Sequence, residues 1–160
     1  MRTIIAVIGG QSQASDEAKK LAREVGRLIA ERDAYLICGG MGGVMEAACR
    51  GAKEAGGTTI GVLPTGAKAD ANPFVDIPIA TGMGTARNVI IVRTADAIIA
   101  IDGSYGTLSE IAHALDQGKT VISLHSWPLQ KVGVDKGQMI EADTPRQAVE
   151  LAFKQAAKTA

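Results

Sequence analysis

TGMGTARNVIIVRTADAIIAIDGSYGTLSE, residues 81–110, alternates glycine turns with apolar runs in an order that decides the fold. Ala97 to Ile101 contains no polar residue, as expected of a strand buried on both faces of a parallel sheet. Asp102-Gly103-Ser104-Tyr105-Gly106-Thr107 follows at once, and Leu108 to Gln117 reads as a helix that Gly118 terminates. A strand that delivers a glycine-rich loop onto a helix start is a common way to build a phosphate site. The first-turn N–H groups are free there, and the helix dipole favours an anion. Gly82 to Thr94 reads as a preceding helix with Ala86, Val89 and Ile90 facing inward. Arg87 and Glu110 stand near the two ends of the stretch.

The rest of the chain repeats the pattern. Thr3 to Ile8 is a strand that Gly9-Gly10 closes, and Asp16-Glu17 open a helix with acidic residues in its first turn. Ala18, Leu21, Ala22, Val25, Leu28 and Ile29 recur along it at helical steps. Tyr35 to Cys38 is a second strand, followed by Gly39-Gly40-Met41-Gly42-Gly43 and a helix from Val44 to Ala55. Thr58 to Leu63 is a third strand, Thr65 to Phe74 a long polar loop, and Val75 to Ala80 a short strand that Pro78 interrupts. Thr120 to Leu124 is a further strand and His125 to Lys136 is irregular. Gln138 to Glu141 is a last short strand, and Thr144-Pro145 start a helix that runs to Lys158. Strands alternating with helices imply βαβ units. The expected fold is α/β, Rossmann-like and doubly wound, a mainly parallel sheet with helices on both faces in one domain spanning residues 1–160.

Composition narrows the function. The 160 residues carry 17 basic and 17 acidic side chains, so no net charge draws the chain to nucleic acid. Aromatic residues make up only 3%, which argues against a stacking surface for single strands. No apolar run is long enough to span a bilayer, and MRTIIAVIGG is too short for a signal segment. The chain reads as cytoplasmic, with no membrane partner. Cys38 and Cys49 lack metal-type spacing and read as free buried thiols. No metal and no resident cofactor is expected.

Three standard cofactor motifs fail on context. Gly40-x-Gly42 resembles a dinucleotide fingerprint, but Met45 takes the place of its third glycine and Leu63-Pro64-Thr65 supplies no acidic partner. Gly118-Lys119-Thr120 resembles the end of a Walker A loop but runs from a helix into a strand. Lys68 and Lys119 both fall in turns, so no lysine is set for pyridoxal phosphate.

What remains is the gathering of glycine loops at one sheet edge, where ligands of open α/β sheets bind. Each loop alone is a tight turn; together they point to a phosphate-bearing ligand. The expected contacts are Gly9, Gly10 and Ser12 after the first strand, then Gly39, Gly40 and Gly42 after the second. Met83, Arg87, Asn88, Gly103, Ser104, Gly106 and Thr107 come from the central stretch. Arg87 and Glu110 are the candidates for catalysis. Thr107-x-x-Glu110 also fits a helix capping box, and Arg87 fits a solvated surface arginine. Met41 and Met45 read as packing residues of the same pocket.

These residues resemble the LOG family, phosphoribohydrolases of cytokinin nucleoside monophosphates. Its hallmark is P-G-G-x-G-T-x-x-E, preceded by Met-x-x-Arg-Lys nine residues before an Asp-Ala pair. Here Asp102 to Glu110 stands in the hallmark's place, Arg87 precedes Asp96-Ala97 by nine, and Gly39 to Met45 is similar to the family's G-G-G-x-x-G-x-M loop. Thr81 to Val92 more closely resembles T-G-M-G-x-A-R-N-x-x-I-V of a shorter sister group related to DprA/Smf proteins, which includes molybdenum cofactor carrier proteins. Asp102 and Ser104 replace the hallmark's first Pro and second Gly, and Asn88 replaces its Lys. Asp102 thereby sets a negative charge beside the expected phosphate.

The resemblance implies two functions. One is a binding or carrier protein for a phosphorylated, nucleotide-like ligand. The other is a hydrolase cutting the N-glycosidic bond of a nucleoside 5′-monophosphate, with Glu110 stabilising the oxocarbenium-like charge and Arg87 holding the base or phosphate. It also implies a homo-oligomer with the site near the subunit interface.

Overall fold

A computed structural model describes residues 1–129 and 136–159. Residues 130–135 of the irregular segment expected at 125–136 therefore lie outside the described residues. The chain forms β1 (Ile4–Gly9), α1 (Asp16–Ala30), β2 (Tyr35–Cys38), α2 (Val44–Glu54), β3 (Thr59–Leu63) and β4 (Ile77–Ala80). It continues with α3 (Asn88–Thr94), β5 (Ala97–Ile101), α4 (Tyr105–Asp116), β6 (Thr120–Leu124), β7 (Gln138–Glu141) and α5 (Pro145–Thr159). The seven strands form one sheet in the order β4-β3-β2-β1-β5-β6-β7, and every pairing is parallel.

Two apolar layers flank this sheet. Ile5, Val7, Leu36 and Ile99 pack on α1, α2 and α5, while Ala6, Ile8, Ile98 and Val121 pack on α3 and α4. The alternation follows from the pleat, which sends neighbouring side chains to opposite faces. All five residues of β5 are buried. Each of its three isoleucines contributes about 2 kcal/mol by leaving water. α1 and α2 touch at two glycines: a Cβ on Gly26 would lie 1.9 Å from the Ala48 carbonyl oxygen, and one on Gly51 would lie 1.8 Å from that of Arg23.

Several expected boundaries move, each for a local reason. β4 is shorter than expected and lies at the sheet edge, where Pro78 leaves no ladder bond unmade. Gly82 to Thr94 is not one helix; Gly84–Arg87 forms a 3-10 turn and α3 begins at Asn88. Its buried side is Asn88, Ile91 and Val92, whereas Ala86 is exposed and Val89 and Ile90 are half-buried. The inward turn of the polar Asn88 sets this rotation, which a purely apolar pattern misplaces. α4 begins at Tyr105, three residues before the expected start, with Ser104 as its N-cap.

The Walker-like triplet has a structural role. Gly118 ends α4 with a left-handed φ of 76°, and the Lys119 ammonium donates to the carbonyls of Val92, Arg93 and Ala95 at 2.6, 3.1 and 2.6 Å. It thus neutralises the negative end of α3. No helix among the described residues is long and apolar enough to cross a membrane.

Candidate functional site

The strand order reverses between β1 and β5, which opens a crevice at their carboxyl ends. The loops after β1, β2 and β5 meet there, as the glycine pattern implied. The Val44 N–H donates to the Gly10 carbonyl at 2.9 Å and so ties the second loop to the first. A cavity of about 190 Å³ lies beside them, lined by Gly9, Gln11, Met45, Pro64, Thr85, Arg87, Asn88, Ser104, Gly106, Thr107 and Glu110.

Of the expected contacts, Gly9, Arg87, Asn88, Ser104, Gly106, Thr107 and Glu110 thus share one cavity. Gly39 lies one layer behind: a Cβ there would stand 2.5 Å from an Arg87 guanidinium nitrogen and 2.7 Å from the Met45 sulfur. Gly10, Gly40 and Gly103 shape the loops without lining the cavity, and neither do Gly42, the exposed Ser12 or Met83, which is 50% exposed. Met83 was expected to pack in the pocket. The left-handed glycines on either side of it, Gly82 and Gly84, belong to a turn that carries it outward. Gln11, Pro64 and Thr85 complete the lining. Pro64 follows β3 at the same sheet edge and Thr85 lies two residues before Arg87, so the strand ends alone could have located both.

The first turn of α4 presents backbone donors to the cavity. Its first intrahelical bond runs from the Leu108 N–H to the Ser104 carbonyl, 3.0 Å, so the Tyr105 and Gly106 N–H groups have no helical acceptor. The Ser104 N–H donates to Thr107 Oγ1 at 3.3 Å. The capping interaction therefore joins Ser104 and Thr107, not Thr107 and Glu110. Thr107 is 1% exposed, and its own hydroxyl proton is left for another acceptor.

Glu110 lies one turn deeper and faces Arg87. Arg87 is not a solvated surface residue: its side chain is 11% exposed and that of Glu110 8%, with 3.9 Å between guanidinium nitrogen and carboxylate oxygen. The same guanidinium donates to the Asn88 side-chain oxygen, and Asn88 Nδ2 reaches the Gly106 carbonyl at 3.5 Å. Arg87 Nε is buried and has no hydrogen-bond partner among the described residues. Asn88, 1% exposed, thus joins Arg87 to the α4 loop while lining the cavity.

Burial opposes both charges. Desolvation pushes the Glu110 carboxyl up to about 8, against the pull of Arg87. It also lowers Arg87, against the attraction of Glu110 and Cys38. A guanidinium keeps its proton at any ordinary pH. At pH 7 the cavity therefore holds a cation beside a neutral carboxyl, a net positive site with a desolvated, half-satisfied guanidinium. That arrangement favours a dianion.

Asp102 stands outside this cavity. It lines a neighbouring cavity with Ser15, Glu17 and His125 and is absent from the lining of the site. Its left-handed φ of 53° is tolerated by aspartate, and its carbonyl accepts from the Ser126 hydroxyl at 2.5 Å. Cys38 and Cys49 are free, buried and 3.5 Å apart at sulfur.

Gly39→Ala should fold normally, because the atoms it meets end flexible side chains. It should displace the Arg87 guanidinium and weaken phosphate-ligand binding roughly tenfold, the worth of one charge-assisted hydrogen bond. Calorimetry and a melting curve on the same sample check both halves.

An uncharacterized protein of Archaeoglobus fulgidus is 54% identical over 121 residues, covering 75% of this chain and 78% of that one. A cytokinin riboside 5′-monophosphate phosphoribohydrolase of Mycobacterium tuberculosis is 34% identical over 135 residues, covering 80% of this chain and 69% of its own. Among solved structures, the molybdenum cofactor binding protein of the phototrophic bacterium Rippkaea orientalis superimposes with a TM-score of 0.88 at 38% identity, covering 96% of this chain and 97% of that one. A family model matches residues 2–149, and the chain belongs to the SLOG cluster4 family.

Proposed function

We propose that the protein binds a phosphorylated, nucleotide-like ligand as a carrier, with the phosphate on the α4 N-terminus and Arg87. The observation that carries this is the buried Arg87, whose Nε lacks a partner and whose nearest carboxyl is neutral at pH 7. A desolvated cation in such a state is costly unless an anion completes it. The likeness to a molybdenum cofactor binding protein over nearly the whole of both chains supports the carrier reading.

A second reading has its own support. A carboxylic acid tuned to about 8 beside the phosphate site matches what a general acid at neutral pH requires. With the Mycobacterium relative, it supports hydrolysis of a nucleoside 5′-monophosphate, Glu110 protonating the leaving base and stabilising the developing positive charge. Neither reading requires a resident metal or cofactor.

The unit that does this is one α/β domain, working in the cytoplasm as a homo-oligomer. Ile77, Ile79 and Met83, 48%, 42% and 50% exposed on β4 and the turn after it, supply an uncovered apolar edge for a second copy. Incubation with AMP and the other nucleoside monophosphates separates the readings. A carrier binds at least one of them by calorimetry and releases no free base. Base release that Glu110→Ala abolishes establishes the hydrolase instead. Light scattering on the same sample should give more than one chain per particle, and a strict monomer contradicts the oligomer.

A further inference from the structure

Five aromatic residues occur in the chain: one Trp, two Tyr and two Phe. Three of them are covered on a ring face by an arginine. Arg2 lies 5.4 Å from the Tyr35 centroid, Arg50 5.8 Å from that of Phe74 and Arg32 5.0 Å from that of Phe153. The other two, Tyr105 and Trp127, stack on each other with centroids 6.1 Å apart and planes at 29°. Trp127 is fixed from behind, its indole N–H donating to the Ser104 carbonyl at 3.2 Å. Tyr105 is 83% exposed.

The position of this pair matters. Tyr105 is the first residue of α4, between Ser104 and Gly106, which both line the site. Its own N–H is among the free first-turn amides. The fold does not need a large ring held out in water there, since the Cα position alone serves the helix. We propose that Tyr105, backed by Trp127, is a stacking platform for a flat heteroaromatic ring joined to the ligand's phosphate. The platform rests on the phosphate-binding reading and adds to it what the ligand must carry. A phosphorylated sugar without a ring gains nothing from Tyr105. The pair stands at the rim and not in the lining of the cavity, where a ring joined through a sugar to a phosphate on those amides would emerge, and stacking is indifferent to which base it is.

Trp127 is the one tryptophan of the chain, so its fluorescence reports on the platform directly. The full chain is titrated with AMP and, separately, with ribose 5-phosphate. AMP should change the Trp127 emission and bind at least tenfold more tightly than ribose 5-phosphate. Tyr105→Ala should remove that tenfold difference while ribose 5-phosphate binds as before, and Tyr105→Phe should retain it. AMP affinity unchanged in Tyr105→Ala overturns the platform. So does an equal loss for both ligands, which marks a merely structural role, and so does a wild type that does not distinguish them. If the wild type binds neither compound, the phosphate site fails and the platform with it. If it binds both but Tyr105→Ala changes nothing, the platform alone fails.

Discussion

Arg87→Met is expected to abolish binding of phosphorylated ligands while leaving the folded protein as stable as before or more so. The two effects have one cause. Arg87 keeps its charge in a place where its side chain is 11% exposed, its Nε has no acceptor and its nearest carboxylate oxygen is 3.9 Å away. A neutral carboxyl at this distance does not repay the desolvation of the guanidinium. Methionine fills similar length without that cost and packs beside Met45, since the Met45 sulfur and the Arg87 guanidinium would both meet the same Cβ on Gly39. The function suffers in proportion. A phosphate loses two or more charge-assisted hydrogen bonds, each worth about 1.5–3 kcal/mol, so affinity should fall at least a hundredfold. Calorimetry and thermal melting on one preparation test both. A variant that melts well below the wild type would show that Arg87 holds the fold together and is not reserved for a ligand.

The second large effect is on pH. Glu110 titrates near 8 in the folded protein and near 4.5 when unfolded. Between those values the folded state holds one proton more than the unfolded state. Stability from this group is therefore greatest below about pH 4.5 and falls as pH rises toward 8, then levels off. The fall is on the order of a few kcal/mol, or roughly 5–10 °C in melting temperature. Glu110→Gln keeps the shape and removes the proton, so its melting temperature should lose that slope and exceed the wild type's at pH 8. The ionised carboxylate also stands beside the phosphate, so wild-type affinity should drop above pH 8 while that of Glu110→Gln does not. Parallel pH–stability curves for the two proteins would mean that the carboxyl is already ionised in the fold.

Much of this architecture was legible before any coordinates. The apolar run of β5, the glycine stops after β1 and β2, and the 3.6-residue pattern of α1 are set by neighbours in the chain, and the folded elements match them almost to the residue. The site was legible in part for the same reason: strand ends carrying Gly9, Gly103 and Gly106 must meet at one edge of a parallel sheet. The errors came where long-range contacts override local pattern. Thr107 and Glu110 have capping-box spacing, but Ser104 takes the cap, which moves the start of α4 and turns Glu110 inward toward Arg87. Asn88, read as a contact residue, does line the cavity, and it is also buried against Gly106, a packing role that local pattern does not show. Met83 has the composition of a pocket residue and lies outside it. The charge of Asp102 was visible in the sequence, but only the fold shows that it lines a different cavity from Arg87 and Glu110.

The central claim is that Arg87 and the first turn of α4 together hold a phosphate. A calorimetric titration of the wild-type chain with AMP at pH 7, repeated with Arg87→Met, tests it most directly. Saturable binding at one ligand per chain, lost in the variant, is the predicted result. Equal affinity in both proteins would contradict it, and so would the absence of any binding heat in the wild type.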